Sequence, residues 1–207
     1  MTLQINNLKY LFENINNGCV LAFYRQGILG SIIPFFTRES KNEKIPNHCG
    51  IVYEVKKTAS LCKFKLSEQG FHGGQYREIK ILKYKDIYYT TDEKDIYYTT
   101  DEYFLKQKEI KMFQVKMTEE QINLGIIDAI KQIGKKYGYT KLILGAEFIE
   151  RILPIEWQRK LFWFFNKSEK LRVCSTHVQF NLIHCGIDLP KNTFYSPLEI
   201  TKLKIYS

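Results

Sequence analysis

No CxxC pair occurs among the five cysteines, Cys19, Cys49, Cys62, Cys174 and Cys185, and their number is odd. A disulfide framework and a zinc site are therefore not expected, and reduced thiols in a cytoplasm are the default. No apolar run reaches the length of a membrane span, and the start Met-Thr-Leu-Gln-Ile-Asn-Asn lacks both basic residues and an apolar core. The expectation is a chain with neither a transmembrane segment nor a secretory signal. A Walker loop, a dinucleotide fingerprint, metal-ligand spacing and a specific nucleic-acid motif are all missing from the sequence. Neither a cofactor nor a metal is expected on that basis.

What is present is an ordinary globular composition. With 207 residues, 44% hydrophobic and 26% charged, the chain is read as one domain spanning 1–207. The net charge of +9 comes from lysines scattered along the whole chain rather than gathered in a block. A solvated basic surface is the plain explanation, and an anionic polymer or membrane surface as partner is the second.

Hydrophobic patterning predicts a short helix over 3–16, then a strand from Cys19 to Tyr24. Ile28 to Phe36 reads as a loop or short helix. Strands are expected at His48–Val55, Leu61–Glu68, Arg77–Tyr84 and Ile110–Lys116. Thr118-Glu-Glu-Gln121 is a capping box, and it opens a helix with Ile122, Ile126, Ala129, Ile130 and Ile133 on one face. An apolar, aromatic helical segment is expected at 141–166, and a further helix from Cys174 to Cys185, stopped by Gly186. Ser196-Pro-Leu-Glu199 caps a last short helix. Helix, strands, then helices is an α+β order.

Lys85-Asp-Ile-Tyr-Tyr-Thr-Thr-Asp-Glu93 recurs unchanged as Lys94 to Glu102. Solenoid repeats run about 20 residues or longer and need several copies, so 85–102 reads as a duplicated insertion in a surface excursion.

Three residues suggest chemistry. Cys174 sits where the charged stretch before it gives way to a helix, and a helix N-terminus favours thiolate. Read alone it is an ordinary buried cysteine. His48 shares a strand face with Gly50, Val52 and Glu54. A hairpin connection centred on Thr58 pairs Val52 with Phe64, Gly50 with Leu66 and His48 with Glu68. A slip of one residue would bury Lys63 and Lys65, so the facial parity is well determined. Glu68 is thus expected to orient the His48 ring, and Glu54 is about 20 Å away along the strand.

The ordered set Gly18-Cys-Val-Leu, His48-Cys-Gly-Ile-Val52, Leu66-Ser-Glu-Gln69, Gly134-Lys-Lys-Tyr137 and Cys174-Ser175 resembles the circularly permuted, papain-like NlpC-type amidases and peptidases. The YiiX-like group is the nearer likeness, and lecithin–retinol acyltransferases a more distant one. Cys19 stands where that family often has Asp.

The resemblance implies an antiparallel half-barrel sheet packed against the helix of the nucleophile. It also implies a catalytic triad of Cys174, His48 and Glu68. His72, Ser175, His177 and Tyr137 are the candidates for substrate contact, while His184 is read as a helix C-terminal cap. The expected activity is a thiol-dependent hydrolase opening an amide or peptide bond, with bacterial cell-wall peptide the leading substrate. A phage or virion-associated setting fits that substrate as well as a cytoplasmic one. A lipid-directed acyltransferase, thioesterase or phospholipase using the same triad is the second expectation. A non-catalytic structural or virion protein retaining the fold is the third.

Overall fold

The computed structural model describes residues 2–25, 46–70, 73–85, 87–90, 107–138, 172–190 and 195–206. In chain order these form α1 (Thr2–Asn14), β1 (Cys19–Arg25), β2 (His48–Lys57), β3 (Leu61–Gly70), β4 (Gly73–Tyr84) and β5 (Ile87–Thr90). There follow β6 (Gln107–Gln114), α2 (Glu119–Gln132), α3 (Cys174–His184) and α4 (Pro197–Thr201). The strands make one antiparallel sheet in the order β5-β4-β3-β2-β1-β6, curled into a half barrel. The expected elements at 28–36 and 141–166, the second copy of the duplication and His72 lie outside the described residues.

Alternation along the strands sorts the side chains into two cores. One face carries Leu21, Phe23, Val52, Phe64, Leu66 and Ile79, covered by Leu8, Leu11, Phe12 and Ile15 of α1 and the turn after it. The other carries Val20, Cys49, Ile51 and Tyr53, packed on Cys174, Val178 and Leu182 of α3 and Ile200 of α4. Each fully buried Leu, Ile or Phe contributes about 1.5–3 kcal/mol, so both faces hold the sheet between helices. Lys63 and Lys65 avoid the α1 core and reach Glu78 at 2.6 and 3.7 Å. The parity expected for this hairpin is the one found.

Its register is not. Gly50 pairs with Glu68 and Val52 with Leu66, two residues away from the expected alignment. The turn closes between Thr58 and Leu61 rather than about Thr58, which moves the register by three residues. A bulge between Tyr53 and Lys56, with Glu54 at φ +53°, puts one extra residue on β2 and takes one of the three back. The bulge also re-aims Glu54, which accepts a hydrogen bond from the Tyr76 hydroxyl at 2.7 Å.

Two further differences have physical causes. β5 lies inside the expected surface insertion: Ile87–Thr90 of the first copy pairs with Ile81–Tyr84. Tyr88 is buried edge-on against Phe12, with ring centroids 5.4 Å apart, so the first copy extends the sheet. On α2 the buried positions are Gly125, Asp128, Ala129 and Gln132, whereas Ile130 and Ile133 are half exposed. Ile122, Ile126 and Ala129 of the expected stripe do face the core, and beside them Asp128 turns inward onto the buried Arg172 guanidinium, at 2.6 and 3.0 Å.

Candidate active site

The position of Cys174 is fixed from the residues before it. Arg172 forms a parallel bridge with Tyr137, and its carbonyl accepts the Gly138 N–H at 2.9 Å. Its guanidinium is buried on Asp128 of α2, which also accepts from Asn181 of α3 at 3.1 Å. Val173 is extended (φ −95°, ψ 172°), and its N–H donates to the Thr176 hydroxyl at 2.9 Å. The helix therefore starts at Cys174. Val173 supplies no side-chain acceptor to the amides of the first turn.

The Cys49 thiol, the His48 ring and the Cys49 backbone N–H surround the Cys174 sulfur and favour its charged form. The Cys49 thiol is the strongest influence. Burial pushes the other way, but the three donors together hold the Cys174 thiol well below its ordinary range. Cys49 is driven well up, first by burial and then by the sulfur beside it, so it keeps its proton and donates. The arrangement favours a thiolate facing an imidazolium.

His48 lies at the start of β2, 19% exposed, with its ring packed against Phe23 at 5.7 Å. Its Nε2 is 2.7 Å from Glu68 Oε2, which leaves Nδ1 for the sulfur. Burial alone would lower the His48 pKa. The bonds to Cys174 and Glu68, and the charges of both, overcome that and raise it to about 10. Glu68 is itself held: the Arg77 guanidinium of β4 pairs with its other oxygen at 2.6 Å, and the carboxylate side chain is only 4% exposed. A continuous polar line thus runs from Cys174 through His48 and Glu68 to Arg77.

No family model, curated protein or solved structure matches this chain.

The remaining expected site residues lie around this line. Ser175 is buried next to Cys174, and its hydroxyl has no hydrogen-bond partner among the described residues. His177 is fully buried behind Cys174, with Nε2 2.8 Å from the Ser67 hydroxyl. Burial, aided by Arg172, lowers its pKa to about 3, so it stays neutral beside the dyad. It was expected to line a cleft. Instead α3 is enclosed from Cys174 through Leu182, and His177 belongs to its packing. Tyr137 is buried too, and its backbone bridge to Arg172 makes the Gly134-Lys-Lys-Tyr137 segment a brace for the residues that lead into Cys174. Gln69 adds to that brace by donating to the Lys135 and Lys136 carbonyls at 2.8 and 3.2 Å. His184 pairs with Asp128 at 2.8 Å. Cys19 donates to Gln114 at 2.9 Å and accepts the Asn16 N–H at 3.3 Å, fastening the start of β1. Among the described residues no cluster of His, Cys, Asp and Glu is placed to hold a metal.

Sequence reasoning missed Cys49 and Arg77. The β3/β4 hairpin carried the signal for Arg77: its register pairs Glu68 with Gln75 and Leu66 with Arg77, so Arg77 sits diagonally beside Glu68. Nothing in the pattern separates Cys49 from a core cysteine.

Proposed function

We propose that this chain is a thiol-dependent hydrolase of the permuted papain-like fold, acting on an amide or peptide bond through a thioester. The polar line Cys174–His48–Glu68–Arg77 is the observation that carries this reading. Cys174 thiolate attacks the carbonyl carbon, and the amides at the start of α3 receive the developing oxyanion. The imidazolium of His48 gives its proton to the leaving amine. Neutral His48 then takes a proton from water, whose oxygen attacks the thioester and releases the acid and Cys174. Glu68 keeps the ring oriented through both steps, and Arg77 keeps Glu68 in place.

Bacterial cell-wall peptide is the leading substrate class, and the net charge of +9 suits an anionic polymer carrying such peptides. One observation favours a lipid-directed acyl hydrolase as the second reading: Leu124, Ile127, Ile130 and Ile133 stand 42–53% exposed along α2. Incubation with peptidoglycan fragments and with anionic phospholipid vesicles separates the two. Free amines released from the former support an amidase, and free fatty acid from the latter supports the lipid reading. Cys174→Ala lowers the true activity by about 10³-fold or more. No turnover of either substrate, nor of a generic thioester, contradicts the catalytic reading and leaves a binding protein.

A further inference from the structure

Ser67 and His177 are both fully buried where α3 packs on the sheet, and Ser67 Oγ meets His177 Nε2 at 2.8 Å. Ser67 is the polar member of an apolar row. Across the ladders it pairs with Ile51 on β2 and Tyr76 on β4, and Ile51 pairs with Val20 on β1. Those three belong to the core beneath α3, together with Val178 and Leu182 of the helix. Replacing both partners of such a bond by apolar groups of the same shape is nearly neutral for stability. What the bond adds is direction: it sets one position of the helix, where apolar contacts let it slide.

α3 carries a second bond of this kind. Asn181 stands one turn after His177, on the same side of the helix, and accepts from the Tyr53 hydroxyl. Tyr53 lies on β2 and Ser67 on β3, so the two bonds land on neighbouring strands and fix both the position and the swing of the helix. Asn181 is also held from α2, through the Gly125 carbonyl and Asp128 at 3.1 Å each. The His177 bond is the one nearer the nucleophile. It closes a ring that runs from Cys174 along the first turn of α3 to His177, across to Ser67, and along β3 to the adjacent Glu68, which meets His48 at 2.7 Å.

We infer that His177 is a positioning residue: its bond to Ser67 sets α3 on β3 so that Cys174 stands where His48 and Glu68 act on it. This inference rests on the proposed pairing of Cys174 with His48. His177 is not a second base, because Nε2 is engaged by Ser67 and Nδ1 is buried without a hydrogen-bond partner among the described residues. Burial, aided by Arg172, keeps the ring neutral, so the bond does not titrate near neutral pH.

The test follows Cys174 alkylation by iodoacetamide across pH in the full chain, with a urea midpoint for each variant. Ser67→Ala/His177→Leu replaces both partners by apolar groups of similar volume. Its urea midpoint is expected to stay close to that of the wild type. Its Cys174 labelling at neutral pH is expected to slow about 10-fold or more, with the midpoint of the profile moved up. His177→Gln keeps an amide within reach of Ser67, and labelling near the wild-type rate is expected there. A wild-type profile in the double variant overturns the inference and leaves the pair as core packing, as does equal loss in His177→Gln. Ser67→Ala alone gives the same reading if the double variant does not fold: a wild-type profile in it also overturns the inference. Slow labelling already in the wild type overturns the pairing of Cys174 with His48, whereas fast labelling there with unaltered variants overturns the role of His177 alone.

Discussion

The Glu68 carboxylate meets the His48 ring at 2.7 Å across a diagonal of the β2/β3 ladder, because the backbone partner of Glu68 is Gly50. Gly50 makes the diagonal passable. A Cβ there would stand 3.2 Å from the Glu68 Cβ and 2.9 Å from both Leu66 Cδ1 and the Ser67 carbonyl. Glu68→Gln preserves the shape and removes the charge that supports the imidazolium. Activity is expected to fall at least about 10-fold, and the His48 pKa to drop from about 10. Steady-state kinetics with an NMR titration of the ring checks both. An unchanged ring titration would mean that Glu68 does not act on His48.

Arg77 is the outer end of the same line, paired with a carboxylate that is 4% exposed. Truncating one partner of a buried pair leaves the other charge uncompensated, which costs about 3 kcal/mol. Arg77→Ala is expected to lose stability of that order in urea unfolding, together with activity. Arg77→Lys recovers part of the stability and less of the activity, because a point charge does not hold the carboxylate plane as a guanidinium does.

Parity was legible in the sequence, as was the meeting of Glu68 with His48; register and support were not. Val52, Phe64 and Leu66 had to share a face because the alternative buries Lys63 and Lys65. That constraint is local and strong. The bulge at Glu54 brings Val55 rather than Glu54 onto the α1-facing core, a single step that strict alternation does not anticipate. On α2 the stripe read correctly at Ile122, Ile126 and Ala129 but not at Ile130 and Ile133, and the buried ion pair of Asp128 with Arg172 left no local sign. No local pattern contains a partner so distant in the chain. The first copy of the duplication hid a strand for a similar reason: Tyr88 finds its burial only against Phe12 of α1.

Cys49 is the donor that most lowers the Cys174 pKa. Cys49→Ala is expected to move the acid limb of the activity profile upward, and Cys49→Ser to restore it through its hydroxyl. Superimposable profiles for wild type and Cys49→Ala would show that the thiol contact does not act on the nucleophile.

The His48–Cys174 pair also predicts how stability responds to pH. The folded His48 pKa, about 10, lies above its ordinary 6.5, so its contribution is full below 6.5 and is lost as pH rises through about 10. The folded Cys174 pKa lies far below its ordinary 9.0, so its contribution is full above 9 and is lost as pH falls through the folded value. Between about 6.5 and 9 the two slopes have opposite sign and cancel. The stability difference between wild type and the His48→Ala/Cys174→Ala double variant is therefore flat across that window. It then falls as pH passes through about 10, and falls again on the acid side. Urea midpoints measured across pH for both proteins give the curve.

The thiolate–imidazolium pair is the claim on which the rest depends, and the rate of Cys174 alkylation by iodoacetamide across pH tests it most directly. In the wild type Cys174 is expected to be labelled at its plateau rate at neutral pH, well ahead of Cys19 and Cys62, whose thiols are raised by burial. In His48→Ala the profile moves toward that of an ordinary thiol, near pH 8.5, and labelling at neutral pH slows accordingly, roughly 10-fold for every pH unit that separates neutrality from the new midpoint. Labelling of Cys174 no faster than the other cysteines at neutral pH, with a profile unaltered by His48→Ala, would contradict the account.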